Sequence, residues 1–280
     1  MPDWALLLAV FSVFDAAIEC EDCNHWNRPQ ESFRIHGNTW YVGTGGISSI
    51  MIATGEGLVL LDGGLPQSAE VIVENIGQLG FRAKDIRFIG LSHAHFDHAG
   101  GIAALQRLSG ATVAASEDAA RALRTGTLQE NDPQFGGGMS GQVFPAVANV
   151  VAVADGWEYE MGGVTLTAMH TPGHTWGGVS WTWQSCDDEG CLDLVYVDSL
   201  GPVSRSDYRF SDGLGDALQA TLDRIASLDC DIMLSTHDFS FALHDKLASG
   251  GGAFVDAEAC RKHAEKTRTY LHRRLQSEQP

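Results

Sequence analysis

The chain has 280 residues, 44% of them hydrophobic, with 32 glycines, which suits one large soluble domain with an ample core, or two smaller ones. Asp plus Glu number 36 against 18 Lys plus Arg, a formal charge of −18. A surface this acidic repels phosphate backbones, so nucleic acid is excluded as a partner and the charge reads as an aid to solubility.

The N-terminus, MPDWALLLAVFSVFDAAIEC, carries an apolar run over residues 4–14. The run is too short to span a membrane and matches the h-region of a signal peptide, although the basic leader of such signals is missing. Small residues follow at Ala16 and Ala17. The expectation is a signal peptide over residues 1–19, a single domain over 20–280, and a periplasmic or secreted protein with no stable membrane association. A buried N-terminal segment is the competing reading. Six cysteines, Cys20, Cys23, Cys186, Cys191, Cys230 and Cys260, make an even set that suits disulfides in an exported protein.

FRIHGNTWYVGTGGISSIMIATGEGLVLLDGG alternates short β-type runs with glycine turns and predicts strands over 39–42, 48–53 and 57–61. Beyond Ser68, Ile72, Ile76 and Leu79 recur at i, i+4, i+7, so an amphipathic helix follows. IRFIGLS is a short buried strand that runs into SHAHFDHAGG, which places the histidines on a loop at a strand's exit. HAGGIAALQRL reads as a helix, TVAAS as a strand, and SEDAARAL as a capping serine followed by a helix. The stretch 125–145, with Gly136, Gly137 and Gly138, is a long loop of the kind that is usually functional or mobile. In the second half VTLTAMH, GGVSWTWQ, LDLVYVDS and DIMLSTH read as strands. GDALQATLDRIASL and VDAEACRKHAEKTRTYLHRRLQ read as helices. Two halves of this kind predict two sheets packed face to face with helices outside.

The strongest chemical signal is His93-x-His95-x-Asp97-His98. Imidazole and carboxylate are good ligands for a divalent transition metal. On a loop, His93 and His95 aim at one point while Asp97 and His98 turn toward a second. His174 in HTPGHTWGG and His237 in MLSTHDFS, each at the exit of an apolar strand, are the candidates that complete two sites. A closed structural zinc site uses four protein ligands, often cysteines, and matches this set poorly. His170 reads as a strand-end or supporting histidine, and His25, His36, His244, His263 and His272 as ordinary ones.

The pattern resembles the metallo-β-lactamase superfamily and, within it, the third subclass of class B β-lactamases. Besides the histidine cluster, WNRPQESFRIHGNTWYVGTGGISSIMI, LLDGG, the PQFGGG loop, TPGHT, YVDSL and STH carry the likeness, which runs over residues 26–260. It implies an αββα sandwich of two mixed β-sheets with a two-zinc site at one edge. His93, His95 and His174 would hold the first zinc, and Asp97, His98 and His237 the second. Three neutral imidazoles leave one tetrahedral position open, and two zinc ions bring the pKa of a shared water toward about 7. The implied activity is hydrolysis of the β-lactam amide of penicillins, cephalosporins and carbapenems by that hydroxide, which confers antibiotic resistance. Asp97 would orient the hydroxide, and Ser199 would hydrogen-bond toward the same region. The implied partner is a small molecule, and the expected state a monomer.

Lactonases and glyoxalase-type thioesterases share the scaffold and use an aspartate that bridges both metals. Asp198 is the candidate for that role here. A non-catalytic zinc-binding protein is a further alternative. Two departures from the lactamase pattern stand out. Gly201 replaces a serine that helps hold the substrate carboxylate, with Ser204 or Arg205 as possible replacements. Gly45 stands where many relatives have a cysteine, which leaves Cys20 and Cys23 to pair with each other or stay free. Cys230 and Cys260 match a family disulfide, and Cys186 and Cys191 bracket a turn between strands.

Overall fold

The computed structural model describes residues 13–136 and 142–279. Most of the apolar N-terminal run, and Gly137 and Gly138, lie outside the described residues. Seven strands follow one another across the first sheet: β1 (Phe33–His36), β2 (Thr39–Tyr41), β3 (Ile50–Thr54), β4 (Gly57–Leu61), β5 (Ile86–Gly90), β6 (Thr112–Ala115) and β7 (Val150–Ala152). Pairing is antiparallel as far as β4 and parallel beyond it. The second sheet holds β8 (Glu158–Met161), β9 (Val164–His170), β10 (Val179–Asp187), β11 (Gly190–Val197) and β12 (Ile232–Ser235). It is antiparallel except where β11 meets β12.

Period-two alternation divides the first sheet's side chains between two cores. Ile50, Ile52, Val59, Leu61 and Phe88 share a cluster with Trp181, Trp183, Leu194 and Tyr196 of the second sheet. Met51, Leu58 and Leu60 join the other cluster with Ile72, Ile76 and Leu105. Those last three come from α2 (Ser68–Gln78) and α4 (Ile102–Ser109), which flank the short α3 (Phe96–Ala99). With α5 (Glu117–Thr125) they cover the outer face of the first sheet. The second sheet is covered by α6 (Leu214–Ala226) and α8 (Ala259–Ser277), whose Leu218, Leu222, Ile225 and Leu271 are buried with it. The expected αββα sandwich is therefore the observed one. The short helices α1 (Cys23–Trp26) and α7 (Leu243–Ser249) complete it.

Three elements depart from the sequence reading. The helix expected over HAGGIAALQRL is broken at Gly100 and Gly101. A side chain at Gly101 would come within 2.2 Å of the Gly63 carbonyl oxygen, so the backbone must pass there bare. The preceding turn, α3, already begins at Phe96, so Asp97 and His98 stand on a helical turn and not on open loop. Strands β7 and β8 have no counterpart in the sequence reading. Both are short edge strands; β7 has two exposed residues in three, and β8 alternates exposed Glu158 and Glu160 with Tyr159 and Met161 over only four residues.

All six cysteines are paired: Cys20–Cys23, Cys186–Cys191 and Cys230–Cys260. Cys186 and Cys191 face each other across the β10–β11 hairpin. Cys230–Cys260 spans 30 residues of sequence and ties the approach to β12 onto α8. A closed loop of that size removes loop-closure entropy worth about 3–4 kcal/mol from the unfolded chain.

Candidate metal centre

The exits of β5, β9, β11 and β12 converge on one edge of the sandwich. Residues 92–95 leave β5 and present His93 and His95. Gly173 in the β9–β10 turn lies so close to Leu218 of α6 that a side chain there would come within 2.4 Å, and Thr221 of α6 donates to Pro172 O at 2.7 Å. That clamp holds the turn carrying His174. His237 follows β12 and is tied to the first sheet by a bridge to Ile47.

Two trios result. The rings of His93, His95 and His174 form a near-equilateral triangle, with centroids 4.6, 4.9 and 4.9 Å apart and edges facing. Ligand atoms of these three lie within 4.8 Å of one another. Asp97 Oδ2 sits 3.3 Å from His98 Nε2 and 3.4 Å from His237 Nε2, which makes the second trio. The His93 and His98 rings, 4.4 Å apart, join the two.

Each histidine of the first trio has one nitrogen held by an oxygen of the protein, and the other nitrogen of His174 lies 3.4 Å from Gln134 Nε2. His93 Nδ1 meets Asp198 Oδ1 at 2.7 Å, His174 Nδ1 meets Gly201 O at 2.6 Å, and His95 Nε2 meets Asp132 at 3.2 Å. His98 Nδ1 faces Asp62 Oδ2 at 3.5 Å. Outer partners of this kind fix ring tautomer and orientation in metal sites. His93 Nε2 and His98 Nε2 are buried with no hydrogen-bond partner. Buried polar atoms are rarely left so unless something else satisfies them. Five imidazoles, one carboxylate and these inward-facing nitrogens fit zinc.

In the metal-free chain the electrostatics favour neutral rings in the first trio, whereas, against the effect of burial, Asp97 and Asp62 push His98 up to about 10. Burial, helped by His98, His95 and His174, holds His93 well below its ordinary value, so the ring stays neutral as a ligand must. Burial and His95 likewise hold His174 at about 3. Against the effect of burial, His98 and His237 keep the Asp97 carboxyl well below the usual carboxylate range. Asp97 is thus an anion at the seam between the trios.

The profile of the metallo-beta-lactamase superfamily matches residues 42–237. The chain belongs to that superfamily. Its fold superposes on solved metallo-β-lactamases over nearly their whole length. With the Rm3 metallo-beta-lactamase it shares 45% identity at a TM-score of 0.89, covering 93% of this chain and 99% of that one. With MEM-A1, a subclass B3 metallo-beta-lactamase from a soil metagenome library, it shares 43% identity at a TM-score of 0.86, covering 90% and 98%. It is also 26% identical over 154 residues to a hydroxyacylglutathione hydrolase of Pseudomonas paraeruginosa (strain DSM 24068 / PA7). That match takes in 54% of this chain and spans about half, 47%, of the relative's length.

A cavity of about 580 Å³ opens over both trios. His95, Asp97, His174, His237 and Ser199 line it, with Trp26, Phe96 and Phe239 as apolar walls. Ser199 Oγ pairs with Thr236 Oγ1 at 2.8 Å. Two expectations need correction. Ser204 and Arg205 do not line this cavity; they line a separate cleft with Arg209 and Arg274. Arg274 donates to Ser204 Oγ, and the Arg205 guanidinium is taken up by Asp207 and by the carbonyls of Asp132 and Phe135. Neither is free to replace the serine missing at Gly201. His263, read as ordinary, lines the metal cavity, whereas His170 is the strand-end residue expected, held to Val153 O at 3.0 Å.

Two supporting residues had no role in the sequence reading. Asp62, in LLDGG, is wholly buried in the left-handed region at φ 61°. It accepts from Ser92 N, Ser92 Oγ and Tyr196 OH at 2.7, 2.6 and 2.8 Å while facing His98. An aspartate ahead of two glycines at a strand exit was the available signal. Asp132, in a loop with no regular pattern, offered none.

Proposed function

We propose that this chain is a zinc-dependent hydrolase of β-lactam antibiotics. It would hold two zinc ions, the first on His93, His95 and His174 and the second on Asp97, His98 and His237, and so confer antibiotic resistance. Bound zinc supplies Lewis acidity and a water ionised near neutral pH. Asp97 offers an ionised carboxylate at the seam where the attacking water must be oriented. Trp26, Phe96 and Phe239 give the substrate's ring system an apolar seat and shed water from it. In the reaction water adds to the carbonyl carbon, the amide C–N bond breaks and the ring nitrogen takes a proton. Ser199, beside Thr236, supplies a neutral hydrogen bond at the cavity floor.

The observation that carries this reading is Asp198. Its Oδ1 is engaged by His93 Nδ1, and its Oδ2 lies against Gly178, where a side chain would come within 2.3 Å. It is turned away from the cavity, unlike an aspartate that bridges two metals. The part-length likeness to a hydroxyacylglutathione hydrolase keeps a thioesterase as the second reading. Asp198→Ala separates them. In the lactamase reading the variant still binds two zinc ions under saturating zinc by elemental analysis, with first-site affinity lowered about 10- to 100-fold. Loss of an ion at saturation would favour the bridging role.

We further propose export to the periplasm as a monomer, with the mature chain beginning shortly after Ala17. Three disulfides suit an oxidising compartment. Intact mass of protein from a periplasmic fraction is expected to start near Ile18 and to accept alkylation only after reduction. A full-length mass with six free thiols would refute both points.

A further inference from the structure

One face of α8 forms a wall of the metal cavity. His263, Lys266, Thr267 and Tyr270 line it, at the i, i+3, i+4, i+7 spacing that aligns side chains along a helix. Lys266 is the single lysine or arginine among the described residues lining the cavity. Four other cations of the helix are paired, Arg261 with Glu258 and Glu265, Lys262 with Asp256, Arg268 with Asp223 and Arg274 with Glu278, and Arg273 does not line the cavity. Lys266 makes no ion pair among the described residues. Burial and Lys266 itself hold His263 at about 4, so that ring adds no second charge.

Penicillins, cephalosporins and carbapenems all carry a carboxylate on the ring fused to the lactam. Gly201 brings no side chain to receive it, and Ser204 and Arg205 face another cleft. A chain of net charge −18 repels an anionic substrate at long range, so a side-chain cation at the cavity wall, besides the zinc the trios would hold, helps admit one. Resting on the lactamase reading above, we propose that Lys266 of α8 is the counter-ion of the substrate carboxylate and sets the preference for anionic β-lactams. Its ammonium sits on a flexible four-carbon stem and so can follow carboxylates placed differently in the three substrate classes.

The test compares nitrocefin with its methyl ester on wild type, K266Q and K266E, the zinc-loaded full chain being used throughout. For nitrocefin, KM is expected to rise about threefold in K266Q and about tenfold in K266E, with kcat little changed and the difference shrinking as salt is added. For the ester, which lacks the charge, all three proteins should give the same KM. Equal KM changes on acid and ester, or none on either, would overturn the inference while wild-type turnover leaves the lactamase reading standing. Absence of wild-type turnover of both compounds would overturn the two together. Unchanged zinc content and melting temperature in the variants tie any KM change to the charge.

Discussion

Asp97→Asn is expected to lower kcat/KM on nitrocefin about a thousandfold, while Ser199→Ala lowers it about two- to tenfold. The amide keeps the shape of the carboxylate and loses its charge. Asp97 Oδ2 lies within 3.4 Å of both His98 Nε2 and His237 Nε2, so the anion binds the second trio together. Losing a fixed negative charge from such a site forfeits several kcal/mol of stabilisation, and each 1.36 kcal/mol is about tenfold in rate. Ser199 offers one neutral hydrogen bond, already shared with Thr236, and such a bond is worth about 0.5–1.5 kcal/mol. Steady-state rates on the two variants at saturating zinc check the ranking. Equal losses would contradict the ranking of the aspartate above the serine.

Asp62→Ala should be the most destabilising substitution at the site, although Asp62 touches neither cavity nor substrate. Its carboxylate receives Ser92 from the first sheet and Tyr196 from the second, beneath His98. Removing it takes the acceptor from two buried hydroxyls and a backbone N–H and the facing charge from His98. Breaking a buried charged network costs about 3–5 kcal/mol. For a domain of this size that corresponds to a fall in melting temperature of about 6–15 °C. Asp62→Asn keeps an acceptor and should fall by less. Zinc affinity of the second trio should also drop about 10- to 100-fold, since His98 loses the partner that orients it. Melting curves with and without zinc report both effects. An Asp62→Ala protein that melts within a degree or two of wild type would show that the network holds nothing together.

Much of this site can be read from the chain because its ligands crowd one short segment. Three histidines and an aspartate within six residues need no tertiary information to be noticed, and His174 and His237 stand at the ends of strongly apolar strands. The layer order follows from the alternation of strands and helices, and the proposed six-residue ligand set rests on these local signals together with the family resemblance. What the chain hides depends on distance in sequence. Asp62 is 36 residues before His98, and Asp132 is 37 after His95, so their pairing exists only in the folded molecule. The same holds for α8. Its sequence reads as a charged surface helix, and only the packing of the sandwich brings His263 and Lys266 to the cavity. Edge strands β7 and β8 escape notice because they are three and four residues long, too short for a period to stand out. Ser204 and Arg205 mislead for a related reason. They are near Gly201 in sequence, but Arg274 and the carbonyls of the 132–135 loop turn them into another cleft.

The most direct test of the central claim is a set of initial rates on nitrocefin, imipenem, an N-acyl-homoserine lactone and S-lactoylglutathione, measured zinc-loaded, after chelation and after zinc is returned. Rapid turnover of nitrocefin and imipenem, abolished by the chelator and restored by zinc, with slow turnover of the lactone and thioester, is the predicted result. Faster turnover of the lactone or thioester, or β-lactam hydrolysis indifferent to chelation, would contradict it.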